Sequence, residues 1–178
     1  MADLFPEKLE FCYWGNPILR KKAIDVEDPE SAETTEFITE MREKLEEHDG
    51  LGLAAQQVGC DRKICLVCFP KKDDYSDVRA LVNPEILEMS EETDIAEEGC
   101  LSFPKLYTDV TRSSKIKVRA YFPGEGEIEF EAEGLLARIL QHEIDHLNGV
   151  VFIDRISYTA RSLMKKDLAR IAKNFGKK

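Results

Sequence analysis

Two of the chain's three histidines, His142 and His146, stand four residues apart in the run Gln141-His142-Glu143-Ile144-Asp145-His146. On an α-helix such positions share a face about one turn apart, so both imidazoles can reach a single ion. Glu143 directly follows the first histidine, where H-E-x-x-H hydrolases keep the carboxylate that handles the proton of a metal-activated water. A catalytic zinc-type site takes three protein ligands and leaves one position open, so the third ligand decides the chemistry. A metzincin-like continuation needs histidine where Phe152 stands, and a downstream glutamate ligand is excluded because no glutamate follows Glu143. Asp145 falls on another helix face and Asp154 follows the helix too soon to return to the ion. Asp167 lies in a basic helical tail, where a solvated or salt-bridged carboxylate is expected.

The candidates upstream are His48 and the five cysteines, Cys12, Cys60, Cys65, Cys68 and Cys100. Cys65 and Cys68 have C-x-x-C spacing but sit in the apolar run Ile64 to Phe69, which reads as a buried strand; residues three apart there point to opposite faces. They are expected to act as small buried hydrophobes. Cys12 lies between two aromatics and Cys60 follows a turn at Gly59, neither in polar company. Cys100 is different: it stands in Glu97-Glu98-Gly99-Cys100-Leu101-Ser102, where Gly99 frees the backbone for close approach to a ligand. His48, beside Asp49-Gly50, reads as a helix-end residue, and a fourth ligand there would close the water position.

Three segments in order, Gly50-Leu51-Gly52-Leu53-Ala54-Ala55-Gln56-Gln57, Glu98-Gly99-Cys100-Leu101-Ser102 and Gln141-His142-Glu143-Ile144-Asp145-His146, resemble the signature motifs of peptide deformylases. The resemblance also takes in Gly15-Asn16-Pro17-Ile18-Leu19-Arg20, Val82-Asn83-Pro84 and residues 149–156, so it covers nearly the whole chain. It implies Cys100, His142 and His146 as metal ligands, Glu143 as general acid/base, and Gln57 with the Leu101 N–H as oxyanion donors. It further implies that a nascent peptide lies extended along Leu51, Gly52 and Gly99 in a β-augmentation, with its methionine in an apolar pocket near the metal helix. The implied reaction is removal of formyl from an N-formylmethionyl peptide by a metal-bound hydroxide, releasing formate. One divalent ion per chain is implied, natively ferrous iron, with zinc, nickel or cobalt as alternatives. A thiolate and two neutral imidazoles leave such an ion one net positive charge, enough to bring bound water toward a pKa of roughly 7. The chain departs from the family's commonest pattern at two positions: Tyr107 stands where many relatives carry arginine, and Arg138 where some carry an apolar residue.

These groups need elements to hold them. The apolar residues Leu135, Leu136, Ile139, Leu140, Ile144 and Leu147 cover more than one stripe, so the metal helix is expected to be enclosed by the core, and Asn148-Gly149 supplies its stop. A first helix is expected over Ser31 to His48, with Phe37, Met41 and Leu45 on one stripe. Lys115 to Tyr121 and Glu127 to Ala132 alternate as strands around the connection Pro123-Gly124-Glu125-Gly126. The fold class is therefore α+β: mixed, mainly antiparallel sheets around a central metal-binding helix, with a C-terminal helix, in a single catalytic domain over residues 1–178. At 178 residues and 43% hydrophobic, the chain can bury one substantial core.

Charge is uneven. Arg161 to Lys178 carries seven basic residues against one acidic, in a chain of net charge -10. Leu163, Met164, Leu168, Ile171 and Phe175 make this tail an amphipathic helix packed on the domain with lysines on its outer face; the alternative is salt-dependent docking to ribosomal RNA near the nascent chain. No sequence-specific nucleic-acid contact and no membrane span is expected, since no apolar run approaches ~18 residues. The first residues resemble neither a secretory nor a transit peptide, and an odd cysteine count suits a reducing cytoplasm. Two other functions fit the ligands: a peptidase of the same metal class, and a binding module that only resembles the enzyme. Retention of both Glu143 and Gln57 argues against the latter.

Overall fold

The computed structural model describes residues 5–71 and 74–176; the readings of the first four residues and of Lys177 and Lys178 lie outside the described residues. Helix α1 spans Ala32–Glu46 and α2 Gly134–Leu147, and the strands are β1 (Gly52–Ala54), β2 (Ile64–Lys71), β3 (Asp74–Met89), β4 (Thr93–Gly99), β5 (Tyr107–Ser113), β6 (Lys115–Phe122) and β7 (Gly126–Glu133). Five strands form one sheet in the order β1-β2-β3-β6-β7, while β4 and β5 make a separate ribbon, and every named pair is antiparallel.

The continuous apolar run of β2 follows from its place between two layers. Ile64, Leu66 and Cys68 join Phe37, Met41 and Leu45 of α1 in one core cluster. Cys65 and Val67 join Leu140, Ile144 and Leu147 of α2 in another. Alternate residues thus serve opposite faces, which explains why the two cysteines never form a site. The β6–β7 hairpin alternates as expected: Val118 and Ala120 face α2, while Lys115–Glu133 and Lys117–Glu129 pair on the solvated side.

Ser31 starts α1 by accepting the Thr34 N–H at 3.1 Å, replacing a bond the first turn cannot make. At the other end the chain turns back tightly, with Asp49 at φ 50° and Gly50 so close that an added Cβ would lie 2.7 Å from Leu45 Cδ1. This turn delivers Leu51 and Gly52 to the sheet edge. Helix α2 is buried from Ala137 through Leu147, as the sequence implies, but its first turn is not enclosed: Leu135 is 43% exposed. Gly149 ends the helix at φ 74°, where a Cβ would meet Arg20 O at 2.6 Å.

The C-terminal expectation needs correction. Two helices, α3 (Tyr158–Leu163) and α4 (Lys165–Phe175), replace one, broken at Met164. Leu163 is 81% exposed, so it does not belong to the packed stripe. Ser157 caps α3 as a short independent turn, and only α4 has the phase to bury Leu168 and Ile171 beside Phe103 and Phe152.

Candidate metal centre

The two central ligands come from the buried stretch of α2, His146 wholly enclosed and His142 at the cleft wall. The third comes from the end of β4: Cys100 follows Gly99, the last residue of that strand, and Phe103 N–H donates to Cys100 O at 2.8 Å in a tight turn. Ligand atoms of Cys100, His142 and His146 all lie within 4.8 Å of one another, the one such cluster of three among the described residues. Cys100 Sγ is 3.3 Å from His146 Nε2. Tetrahedral sharing of one ion at ordinary bond lengths would separate sulfur and nitrogen by roughly 3.6 Å, so this pair already stands near the spacing that one ion needs. Burial keeps His146 well below the ordinary histidine range and therefore neutral, as a ligand must be. Burial also opposes charge on His142, yet Cys100 and Glu98 together hold its pKa well above the ordinary range.

Glu98 is a site residue that motif reading left without a role. It is the one buried side chain of β4, and its carboxylate accepts from His142 Nδ1 at 3.0 Å, from Arg112 Nε and Nη2 at 3.0 Å each, and from Arg138 Nη1 at 2.8 Å. Its bond to Nδ1 turns His142 Nε2 toward the cluster. Asp145 ties Arg112 to Arg155 on the far side. The sequence signal available was alternation: Glu97 and Glu98 occupy opposite faces of a strand, and only the second points inward. Burial disfavours the Glu98 charge, but the hydrogen bonds from His142 and Arg112 carry its pKa down to about 2.

The same network settles Arg138. Arg138 lines the cleft, and its guanidinium is held by Glu98, Asp94 and the Val110 and Ala96 carbonyls, so it joins α2 to the ribbon rather than presenting a free charge. Tyr107 is 61% exposed at the cleft edge, its ring lying where a Cβ on Gly99 would come within 2.5 Å. Gly99 is thus needed for a close approach by Tyr107.

Glu143 is buried at the cleft wall, and burial pushes its carboxyl up to about 7. Its Oε2 has no partner among the described residues, as suits a group that awaits a proton donor. Gly52 explains how the carboxylate reaches the cleft, since any Cβ there would fall 2.4 Å from Glu143 Oε1. Gln57 sits in the helical turn after β1, where the Ala54 N–H donates to its Oε1 at 2.8 Å. That bond fixes the amide so that Nε2 faces Cys100 Sγ and Ser102 Oγ, each at 3.4 Å. Gln56 turns away, donating to Lys21 O. Leu51 and Leu101 both line the cleft, and the Leu51 carbonyl accepts from Cys68 N–H within the sheet.

The remaining candidates lie elsewhere. Asp154 pairs with Arg20 and Arg161, Asp167 with Arg170, and His48 packs on Phe11 at the cleft rim with its Nδ1 3.0 Å from Lys44 O. Cys12, Cys60, Cys65 and Cys68 are buried and free, and burial raises the pKa of each thiol. The cleft over the cluster has a volume of about 620 Å³, and its lining includes the apolar Leu51, Leu101, Leu135 and Ile139.

Known proteins share this arrangement of elements. The family model described as polypeptide deformylase matches residues 8–162. The peptide deformylase of Thermotoga neapolitana is 46% identical over 162 residues, covering 90% of this chain and 94% of the relative. The crystal structure of the Ehrlichia chaffeensis peptide deformylase superposes with a TM-score of 0.83 at 30% identity, covering 94% of this chain and 96% of the other. The Thermotoga maritima structure gives 0.77 at 41% identity, over 85% of this chain and 99% of that one. A motif match confined to the metal helix would leave the rest of the chain undecided; here the match runs through sheet, ribbon and helix alike, and the chain belongs to the polypeptide deformylase family, hydrolases that remove the N-formyl group from nascent peptides.

Proposed function

We propose that this protein deformylates N-formylmethionyl nascent peptides with one divalent ion held by Cys100, His142 and His146. The observation that carries this reading is the convergence of those ligand atoms within 4.8 Å beneath a cleft into which Glu143 and Gln57 also point. Bound there, the ion supplies Lewis-acid activation of a water molecule. Glu143 accepts the proton of the attacking water at its carboxylate and passes it to the leaving amine nitrogen, so that formamide and water become formate and a free methionine N-terminus. Gln57 Nε2–H and the Leu101 N–H donate to the oxygen that gains charge as the formyl carbon becomes tetrahedral. The peptide runs along Leu51, Gly52 and Gly99, and Leu135, Ile139 and the stem of Arg138 receive the methionine side chain.

A Cys/His/His donor set suits ferrous iron, zinc, nickel or cobalt, and we assign ferrous iron as the native ion on the family resemblance. The reaction is placed in the cytoplasm, consistent with five cysteines none of which is paired. No described helix is long and apolar enough to cross a membrane. The exposed Lys165, Lys166, Arg170 and Lys173 of α4 support a salt-dependent ribosome contact. Loss of co-sedimentation with ribosomes at low salt in a Lys166→Glu, Lys173→Glu variant tests that contact.

The deciding experiment measures formate release from formyl-Met-Ala-Ser by protein prepared without oxygen and loaded with iron, nickel or zinc, beside Glu143→Ala. Release that needs both metal and Glu143 is expected. Stoichiometric metal binding without formate release under any loading refutes the reading, and cleavage of an unformylated peptide would favour a peptidase.

A further inference from the structure

A side-chain oxyanion donor is only as good as its aim, and the aim of Gln57 is half accounted for by its oxygen. The Ala54 N–H donates to Oε1 at 2.8 Å, which holds that end of the amide. The nitrogen carries two N–H bonds, and Nε2 has two acceptors at 3.4 Å, Cys100 Sγ and Ser102 Oγ. These acceptors differ in place. Cys100 lines the cleft together with Gln57, whereas Ser102 is wholly buried and takes no part in the cleft wall. A hydrogen given to Ser102 therefore points into the protein, and it leaves the second hydrogen for the side on which the metal ligands stand.

Ser102 is itself held on both sides. The Cys12 N–H donates to Gln57 O at 2.8 Å and the Trp14 N–H to Ser102 O at 2.9 Å, so one three-residue segment ties both backbones and sets their spacing. The Trp14 ring packs on Phe103, with centroids 5.3 Å apart, and the Phe103 N–H closes the turn on Cys100 O around Ser102. The hydroxyl is thus presented from a fixed backbone to an amide that is 1% exposed. Water has little access to replace it as an acceptor.

We infer that Ser102 is a positioning residue for deformylation: its hydroxyl oxygen accepts one Nε2–H of Gln57 and so aims the other at the oxygen that gains charge. This inference rests on the deformylase reading and on Gln57 as oxyanion donor. A donor already aimed needs no rearrangement as the charge develops, which is what makes it effective. Without the hydroxyl, Cys100 Sγ is the remaining acceptor, and the amide can turn its hydrogen toward the ligand sulfur instead of the substrate. The loss is that of one neutral hydrogen bond's orienting effect, about 3- to 12-fold in rate, well short of losing the donor altogether.

The test measures formate release from formyl-Met-Ala-Ser by metal-loaded wild type, Ser102→Ala, Gln57→Ala and the double variant. Ser102→Ala should lower kcat by about 3- to 12-fold with KM and metal content unchanged. In the Gln57→Ala background the same change should cost almost nothing, because no amide is left to aim; a purely structural role would cost the same in both. A second readout needs no variant and decides the matter if Ser102→Ala fails to fold. In zinc-loaded wild type, NMR on isotope-labelled glutamine should find one Gln57 side-chain amide proton protected from solvent exchange and the other exchanging through the cleft. Two protons exchanging alike, a Ser102→Ala kcat within about twofold of wild type, or an equal loss in both backgrounds overturns the inference alone. Formate release that Gln57→Ala leaves unchanged overturns the oxyanion role, and no release from the wild type overturns the deformylase reading, each taking the inference with it.

Discussion

Replacing Glu98 by glutamine should weaken the protein and its metal site together. The carboxylate is buried and accepts four hydrogen bonds, three from Arg112 and Arg138 and one from His142. Two calculations give similar magnitudes. Folding carries its pKa from 4.5 to about 2, which at 1.36 kcal/mol per unit is about 3 kcal/mol of stability at neutral pH. Removing one partner of a buried ion pair costs about 3–5 kcal/mol, because the guanidinium groups stay buried without compensation. For a chain of this length each kcal/mol moves Tm by about 2–4 °C, so Glu98→Gln should melt roughly 6–12 °C below wild type. The folded pKa is lowered, so the contribution is complete above about pH 4.5 and disappears as pH falls toward about 2; the gap between the two proteins should close over that window. His142 also loses the acceptor that orients its ring, and metal affinity should fall about 10- to 100-fold in competition with a fluorescent chelator. A Glu98→Gln protein melting within about 2 °C of wild type, with unchanged metal affinity, would refute the reasoning.

Three further outcomes follow from the same geometry. Gly52→Ala places a methyl where Glu143 Oε1 stands, so deformylation should drop by about two to four orders of magnitude while metal stoichiometry is kept; loss of metal would point to a wider collapse. Gln57→Ala removes a preoriented donor and should cost about 10²- to 10³-fold in kcat, and a loss below threefold would exclude it from the oxyanion site. Asp154 accepts from Arg20, Arg161 and the Val151 N–H, and although burial opposes its charge these partners hold its pKa below the ordinary range. Asp154→Asn should therefore lower stability by roughly 1–2 kcal/mol at neutral pH, with the difference vanishing as acid protonates the wild-type carboxylate; a difference that persists at low pH would assign it to packing instead.

The sequence by itself determined the chemistry that needs only local spacing. Histidines at i and i+4 around Glu143, and the alternation of β6 and β7, depend on helix and strand periods that hold wherever those elements form. Its polar company singled out Cys100 among the cysteines, and a family resemblance added its ligand role and Gln57, but not what holds them. Only tertiary structure decided that Glu98 turns inward to His142, that Arg138 is neutralised against the ribbon, and that Gly52 exists to admit the Glu143 carboxylate. It also broke the C-terminal stripe at Met164 and carried Phe175 to the cleft, which composition could not foresee. The division has one physical cause: periodicity is written along the chain, whereas the partners of a buried charge and the neighbour of a missing Cβ come from other segments, such as Arg138 for Glu98 and Glu143 for Gly52, brought together only when sheet, ribbon and helix pack.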